Sequence, residues 1–128
     1  MYDKLLKNLN NSYSPYSNFP VSAIVVMNDG TEYTGVNIEN ASYGATICAE
    51  RTAIFKAVSE GKRKEDFKEL HVMVGSGKIG MPCFICRQVI DEFMNPDCKV
   101  VCWSTKGEYK EYSVKEICVF PFNSEDLV

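Results

Sequence analysis

Cys48-Ala49-Glu50 is answered downstream by Pro82-Cys83-Phe84-Ile85-Cys86, and this pair of motifs constrains the fold more than any other feature of the chain. Three thiolates and one carboxylate have to meet, and each motif opens a segment of helical character. Residues two apart on a helix point about 200° from each other at about 3.6 residues per turn. Cys48 and Glu50 therefore cannot share a target beside the helix. They can share one beyond its N-terminal end, because each Cα–Cβ bond tilts that way. Cys83 and Cys86 then reach the same point from a second helix start, Pro82 being suited to the first helical position. Two helix N-termini aimed at one point favour thiolates, since those ends are partly positive. Three protein ligands with the fourth position open to water is the arrangement of a hydrolytic zinc, whereas a structural zinc is closed by four. A lone Cys-x-x-Cys would leave redox chemistry, structural zinc and coincidence equally open; the pair does not.

The rest of the chain alternates helix and strand patterns. Leu5, Leu6 and Leu9 line one face of a short first helix ended by Asn10-Asn11-Ser12. Val21 to Met27 is a nearly continuous apolar run, as expected of a strand covered on both faces. Asn28-Asp29-Gly30 is a hairpin turn, and Thr31 to Ile38 returns as the second strand. Ile47 to Glu60 reads as a helix with Thr46 at its N-cap and Gly61 just past its end. Leu70 to Val74 is a third strand, and Gly75-Ser76-Gly77 opens a loop. The second motif helix runs from about Cys83 to Met94 and is stopped by Asn95-Pro96. Val100 to Trp103 and Glu108 to Tyr112 make two more strands around Lys106-Gly107, with helical turns near the C-terminus. The expectation is a single α/β domain over residues 1–128, with a mixed sheet of about five strands sandwiched by helices.

Composition narrows the partners. A chain of 128 residues fits one domain with a core of its own, and 45% hydrophobic with 24% charged residues is ordinary for a globular protein. No apolar run is long enough to span a bilayer, and the N-terminus has no apolar signal core, so neither membrane nor export is expected. The six cysteines are then read as reduced thiols in the cytoplasm. Net charge is -3, and the one basic cluster, Lys62-Arg63-Lys64, is followed at once by Glu65 and Asp66. Polynucleotide binding depends on Lys and Arg neutralising phosphates. The expected partner is a small molecule, not nucleic acid.

The chain resembles the small cytidine deaminases, the family that forms homotetramers of short subunits. The resemblance rests on Ser14-Pro15-Tyr16-Ser17-Asn18-Phe19-Pro20-Val21, Asn37-Ile38-Glu39-Asn40-Ala41-Ser42-Tyr43-Gly44, Cys48 through Val58, Pro82-Cys83, Cys86-Arg87-Gln88-Val89, and Phe122 with Ser124-Glu125-Asp126. It is collinear over nearly the whole chain. It implies one zinc per chain on Cys48, Cys83 and Cys86, and hydrolytic deamination of cytidine and deoxycytidine to uridine and deoxyuridine plus ammonia, as in pyrimidine salvage. It assigns Arg51 to the surroundings of the ligand sulfurs, and Gln88, just after the second motif, is placed to support the same surroundings. Asn37 and Glu39 are assigned to the ribose, and Phe19, Tyr43 and Phe122 to the base, partly across subunits. Ala49 offers backbone groups to the base edge.

The residue chemistry agrees where it can be judged alone. Zinc with three thiolates is a net anion, so a cation is wanted beside it; Arg51 lies three residues after Cys48 on the same helical face. Deamination needs a proton taken from water, one delivered to the ring nitrogen and one to leaving ammonia, all within reach of one carboxyl at Glu50. Asn37 and Glu39, two apart, share a face at the end of the second strand. Ala45, Ala49, Ala53 and Ala57 recur every four residues, a stripe suited either to the protein's own sheet or to a neighbouring subunit. His71, the only histidine, fits no ligand spacing and is read as structural.

A rival of another class is a non-enzymatic zinc module on Cys83, Cys86, Cys98 and Cys102. On a strand those last two positions stand about 13 Å apart at about 3.3 Å per residue, too far for one metal. Cys98, Cys102 and Cys118 are better read as small hydrophobes. Several positions depart from the family pattern: Phe84 and Ile85 between the motif cysteines, Ser22 for a usual Gly, and Cys118-Val119-Phe120-Pro121-Phe122 near the end. A related deaminase type acts on blasticidin S; it generally lacks the Arg found here at Arg51.

Overall fold

The computed structural model describes residues 1–127. Helix α1 (Tyr2–Asn8) is extended by a 3₁₀ turn over Leu9–Asn11 and leads to strands β1 (Val21–Met27) and β2 (Glu32–Val36). Helix α2 (Ala49–Ser59) follows, then β3 (Phe67–Val74), α3 (Phe84–Phe93), β4 (Lys99–Trp103), β5 (Tyr109–Ser113) and the short α4 (Val114–Ile117). The sheet order is β2-β1-β3-β4-β5. β1 runs antiparallel to β2 and β3, β3 is parallel to β4, and β4 is antiparallel to β5. The parallel pair is joined through α3, because parallel strands need a crossover. The sheet is mixed and five-stranded, as expected.

Alternation along the strands divides the core. Ala23, Val25, Leu70, Val72, Val100 and Cys102 face one way, toward Ala53, Ile54 and Ile90 of α2 and α3. Ile24 and Met73 face the other way and pack on Leu5. This explains the unbroken apolar run of β1: both of its faces are covered. Leu6 departs from the expected stripe and is exposed, since α1 presents only Leu5 fully to the sheet. The hairpin turn forms as read, with Gly30 at φ +89° and its N–H donating to the Met27 carbonyl.

β2 ends at Val36, short of Ile38, and β5 is shifted by one residue; three further boundaries differ from the sequence reading, and two of them bear on the site. α2 starts at Ala49 with Cys48, not Thr46, as N-cap. Ile47 is drawn into a β-bridge with Ile38, which keeps the chain extended up to Cys48, and the Thr46 hydroxyl instead accepts from the Asn40 N–H at 3.2 Å. α3 starts at Phe84 with Cys83 as N-cap, so Pro82 stands one residue before the N-cap and not at the first helical position. Each motif thus places its leading cysteine at a helix N-cap. β3 begins at Phe67 rather than Leu70, because Phe67 is buried and pairs with Met27 after a register shift.

The alanine stripe resolves toward the protein's own sheet. Ala49, Ala53 and Ala57 are fully buried within the chain, and Ala45 lies outside α2 in a 3₁₀ turn. On β2 the facing residue is Gly35, where an added Cβ would sit 2.5 Å from the Ala53 nitrogen and 2.6 Å from the Ala49 carbonyl oxygen. Small residues on both sides let backbone meet backbone. That contact sets the height of the α2 N-terminus above the sheet.

Candidate metal centre and substrate cavity

The N-termini of α2 and α3 meet near the end of the sheet where β1 begins and β2 and β3 finish. Sγ of Cys48, Cys83 and Cys86 all lie within 4.8 Å of one another, the one such cluster among the described residues. Sulfurs bound to one tetrahedral zinc at about 2.3 Å stand about 3.8 Å apart. Cys48 and Cys83 are 3.7 Å apart. The donor set therefore fits zinc in type and in spacing, with three ligands and a fourth direction left open.

Charge around the sulfurs fits as well. Arg51 Nη2 donates to Cys48 Sγ at 3.5 Å, and Arg51 Nε is buried without a partner. The Cys86 thiol, helped by Arg51 and by Cys83, holds Cys48 down at about 5, so it is a thiolate at neutral pH; the proton Cys86 keeps in that contact pushes Cys86 upward. The other cysteines behave differently. Cys102 and Cys118 are each raised to about 11, chiefly by burial. Cys98 is likewise raised by burial, and its thiol donates to the Phe67 carbonyl at 3.4 Å. They are structural thiols, and the four-cysteine module has no geometry behind it.

Glu50 is 4% exposed and lines a cavity of about 420 Å³ beside the sulfurs. Burial, reinforced by the charge on Cys48, pushes its carboxyl up to about 7. A carboxyl poised near neutrality can both accept and return a proton. Phe19, Asn37, Glu39, Ala49, Cys48 and Cys83 also line this cavity. These are the sequence-derived residues that the fold gathers.

Asn37 and Glu39 reach the cavity from the extended segment after β2, and both are tied to the loop before β1. Asn37 Oδ1 accepts from the Val21 N–H at 2.9 Å and the Ser12 hydroxyl at 2.5 Å, while Nδ2 donates to the Phe19 carbonyl at 2.8 Å. One Nδ2 hydrogen remains for a ligand. Glu39 Oε1 accepts the N–H groups of Tyr16 and Ser17 at 3.0 and 3.1 Å, and Oε2 accepts the Ser17 hydroxyl. The Ser17 hydroxyl, with the two backbone donors, lowers the Glu39 pKa.

Three expected residues lie elsewhere in the single chain. The Gln88 side chain donates to the Phe122 carbonyl at 2.7 Å and turns away from the sulfurs; it ties down the C-terminal segment. Phe122 borders a separate groove with Phe84, Arg87 and Phe120. Tyr43 is exposed and packs edge-on against Tyr16 at 6.0 Å between centroids. His71 is structural as read, accepting from Trp103 Nε1 at 3.1 Å and pairing with Glu69 at 3.0 Å. Sequence reasoning overlooked Arg87. Its Nε donates to the Pro82 carbonyl at 2.8 Å, its Nη1 to the Ile117 carbonyl at 3.1 Å, and its guanidinium lies 4.4 Å over the Phe84 ring. Arg87 thereby fastens the stretch before Cys83 to α4, and Phe84 is a packing partner there and not a wall of the cavity.

Comparison with known proteins points the same way. The family model "Cytidine and deoxycytidylate deaminase zinc-binding region" matches residues 1–102. The chain is 47% identical over 116 residues to the cytidine deaminase of Sporosarcina psychrophila, covering 91% of this chain and 84% of that one. It is 45% identical over 116 residues to the cytidine deaminase of Halalkalibacterium halodurans, covering 91% and 86%. The fold is similar to the crystal structure of cytidine deaminase from Burkholderia pseudomallei, with a TM-score of 0.86 and 36% identity over 95% of this chain and 99% of that chain.

Proposed function

The chain belongs to the cytidine and deoxycytidylate deaminase family, and from that premise we propose that it is a zinc-dependent hydrolase converting cytidine and deoxycytidine to the uridine nucleosides and ammonia. The observation that carries this reading is the convergence of three sulfurs and a buried, neutral-range carboxyl at one end of a nucleoside-sized cavity. Cys48, Cys83 and Cys86 would hold the zinc, one per chain. The chemistry zinc supplies with three ligands and an open position is activation of water as a nucleophile at neutral pH. Glu50 would carry both protons of the attacking water in turn, the first to the ring nitrogen and the second, given up as the new C–O bond becomes a carbonyl, to the amine that leaves as ammonia. Arg51 offsets the negative charge of the thiolates. Ala49 places its backbone against the base edge at the start of α2, and Phe19 flanks the base.

Asn37 and Glu39 bind the sugar, so cytidine and deoxycytidine are both turned over and free cytosine is very poor, because the sugar positions the base. Tyr43 and Phe122, which lie outside this cavity in one chain, complete the sites of neighbouring subunits in a homotetramer. The bulky apolar side chains exposed around the second motif and the C-terminus, Phe84, Ile85, Val119 and Phe120, support that assembly. The setting is cytoplasmic pyrimidine salvage. The test is ammonia release from cytidine, deoxycytidine, cytosine, adenosine and blasticidin S, with zinc measured on the same protein. One zinc per chain and turnover confined to the two cytidine nucleosides is expected. Faster turnover of blasticidin S, or a Cys83→Ser variant that keeps both metal and activity, overturns the reading.

A further inference from the structure

Ser17 and Phe19 line the cavity, yet none of the roles above explains why the Ser17 hydroxyl is bonded to the Glu39 carboxylate. Ser17 makes two bonds at once. Its Oγ accepts from the Phe19 N–H at 3.0 Å and its hydroxyl donates to Glu39 Oε2. It therefore links the aromatic wall of the cavity to the carboxylate that the proposed function gives to the sugar. An ionised carboxylate has about four acceptor positions. Three are filled from this loop, by the Tyr16 and Ser17 amides on Oε1 and the Ser17 hydroxyl on Oε2. The position left open is on Oε2, and Glu39 borders the cavity.

Resting on the reading of Glu39 as the sugar's acceptor, we propose that Ser17 is a positioning residue for nucleoside recognition, holding Glu39 so that its single open acceptor faces the sugar. The local backbone is built for this. Asn18 adopts φ +54°, and its N–H bonds back to the Ser14 carbonyl at 2.9 Å, curling the loop so that both the Ser17 amide and its hydroxyl reach Glu39. The two Oε1 amides persist in any variant, so the Ser17 hydroxyl sets the orientation of Oε2 alone. A carboxylate already oriented loses less rotamer freedom when a sugar hydroxyl arrives.

The test uses the holoenzyme and two product-side probes, uridine, which carries the sugar, and uracil, which does not. Ser17→Ala should raise the KM for cytidine and weaken inhibition by uridine about tenfold, the scale of one hydrogen bond to a charged group. Its kcat should stay within about twofold, since the proton-transfer groups are untouched. Inhibition by uracil should be unchanged, and Ser17→Thr, which keeps the hydroxyl, should behave as the parent. In a Glu39→Ala background, Ser17→Ala should add nothing. An equal loss toward uridine and uracil, or a loss that persists without Glu39, would mean the loop is merely disturbed and overturns the proposal. Tighter uridine binding in Ser17→Ala would mean the hydroxyl competes with the sugar, and also overturns it. If Glu39→Ala itself leaves the uridine-to-uracil ratio untouched, the sugar assignment falls first and this inference with it.

Discussion

At the scale of single residues, position within the fold decides chemistry that residue type leaves open. Six cysteines divide into three that converge beside Arg51 and three, Cys102 buried and Cys98 and Cys118 half-buried, whose thiols are raised by burial and serve packing. Glu50 would be an unremarkable acidic residue in a first helical turn were it not buried beside a thiolate. Replacing it with Gln keeps the size and removes the ionisable group. Glu50→Gln should retain zinc and the native unfolding midpoint while kcat falls by about 10²–10⁴, the usual range for a lost acid–base group. Turnover near the parent rate would place the shuttle elsewhere. Arg51 acts on the sulfurs through its guanidinium, with Nη2 on Cys48. Arg51→Gln should speed zinc loss to a chelator, because the thiolates lose the cation that offsets their charge; an unchanged rate of loss would show that the buried guanidinium does not stabilise them.

At the scale of elements, the decisive contact is backbone on backbone between β2 and α2. The Ala stripe and Gly35 allow an approach that any Cβ at position 35 would block. Because the leading residues of α2 are Ala49 and Glu50, the same contact that packs the helix also sets the distance from Glu50 to the sulfurs. Gly35→Ala should destabilise the protein by about 1–3 kcal/mol, as overpacking does in close-packed cores, and should lower kcat as well, since α2 must move. An unaltered urea midpoint would refute the close-approach argument. The motif helices were legible because apolar spacing and Pro96 mark their bodies. Their starts were misjudged by up to two residues because the Ile38–Ile47 bridge, a contact between separate segments, keeps the chain extended to Cys48.

At the scale of the whole molecule, the surface carries apolar groups that one chain leaves uncovered. Phe84 is 77% exposed and Phe120 is 98% exposed, both beside the groove that holds Phe122. Phe120 has a left-handed backbone at φ +50°, which turns its ring outward. Burying such rings against another copy is worth about 1.5–3 kcal/mol each. Light scattering should therefore return four chains of 14.4 kDa, and Phe120→Asp should lower the mass and the activity together. A fully active monomer would rule out sites completed across subunits.

Sequence alone picked out the three cysteines that converge, the carboxyl beside them and the order of helices and strands. Those follow from local rules: thiolate chemistry with its spacing, and apolar periods of two or near four. Tertiary structure decided which face of each element meets what. It turned the alanine stripe onto the chain's own sheet, sent Gln88 to the Phe122 carbonyl instead of the sulfurs, gave Arg87 the Pro82 and Ile117 carbonyls, and made Glu39 the anchor of the Ser14–Phe19 loop. Apart from the Arg87–Pro82 bond, which spans five residues, each of these depends on a partner more than twenty residues away along the chain or on another element. A hydrogen bond's donor is fixed by residue type, but its acceptor is whatever the fold brings within about 3 Å.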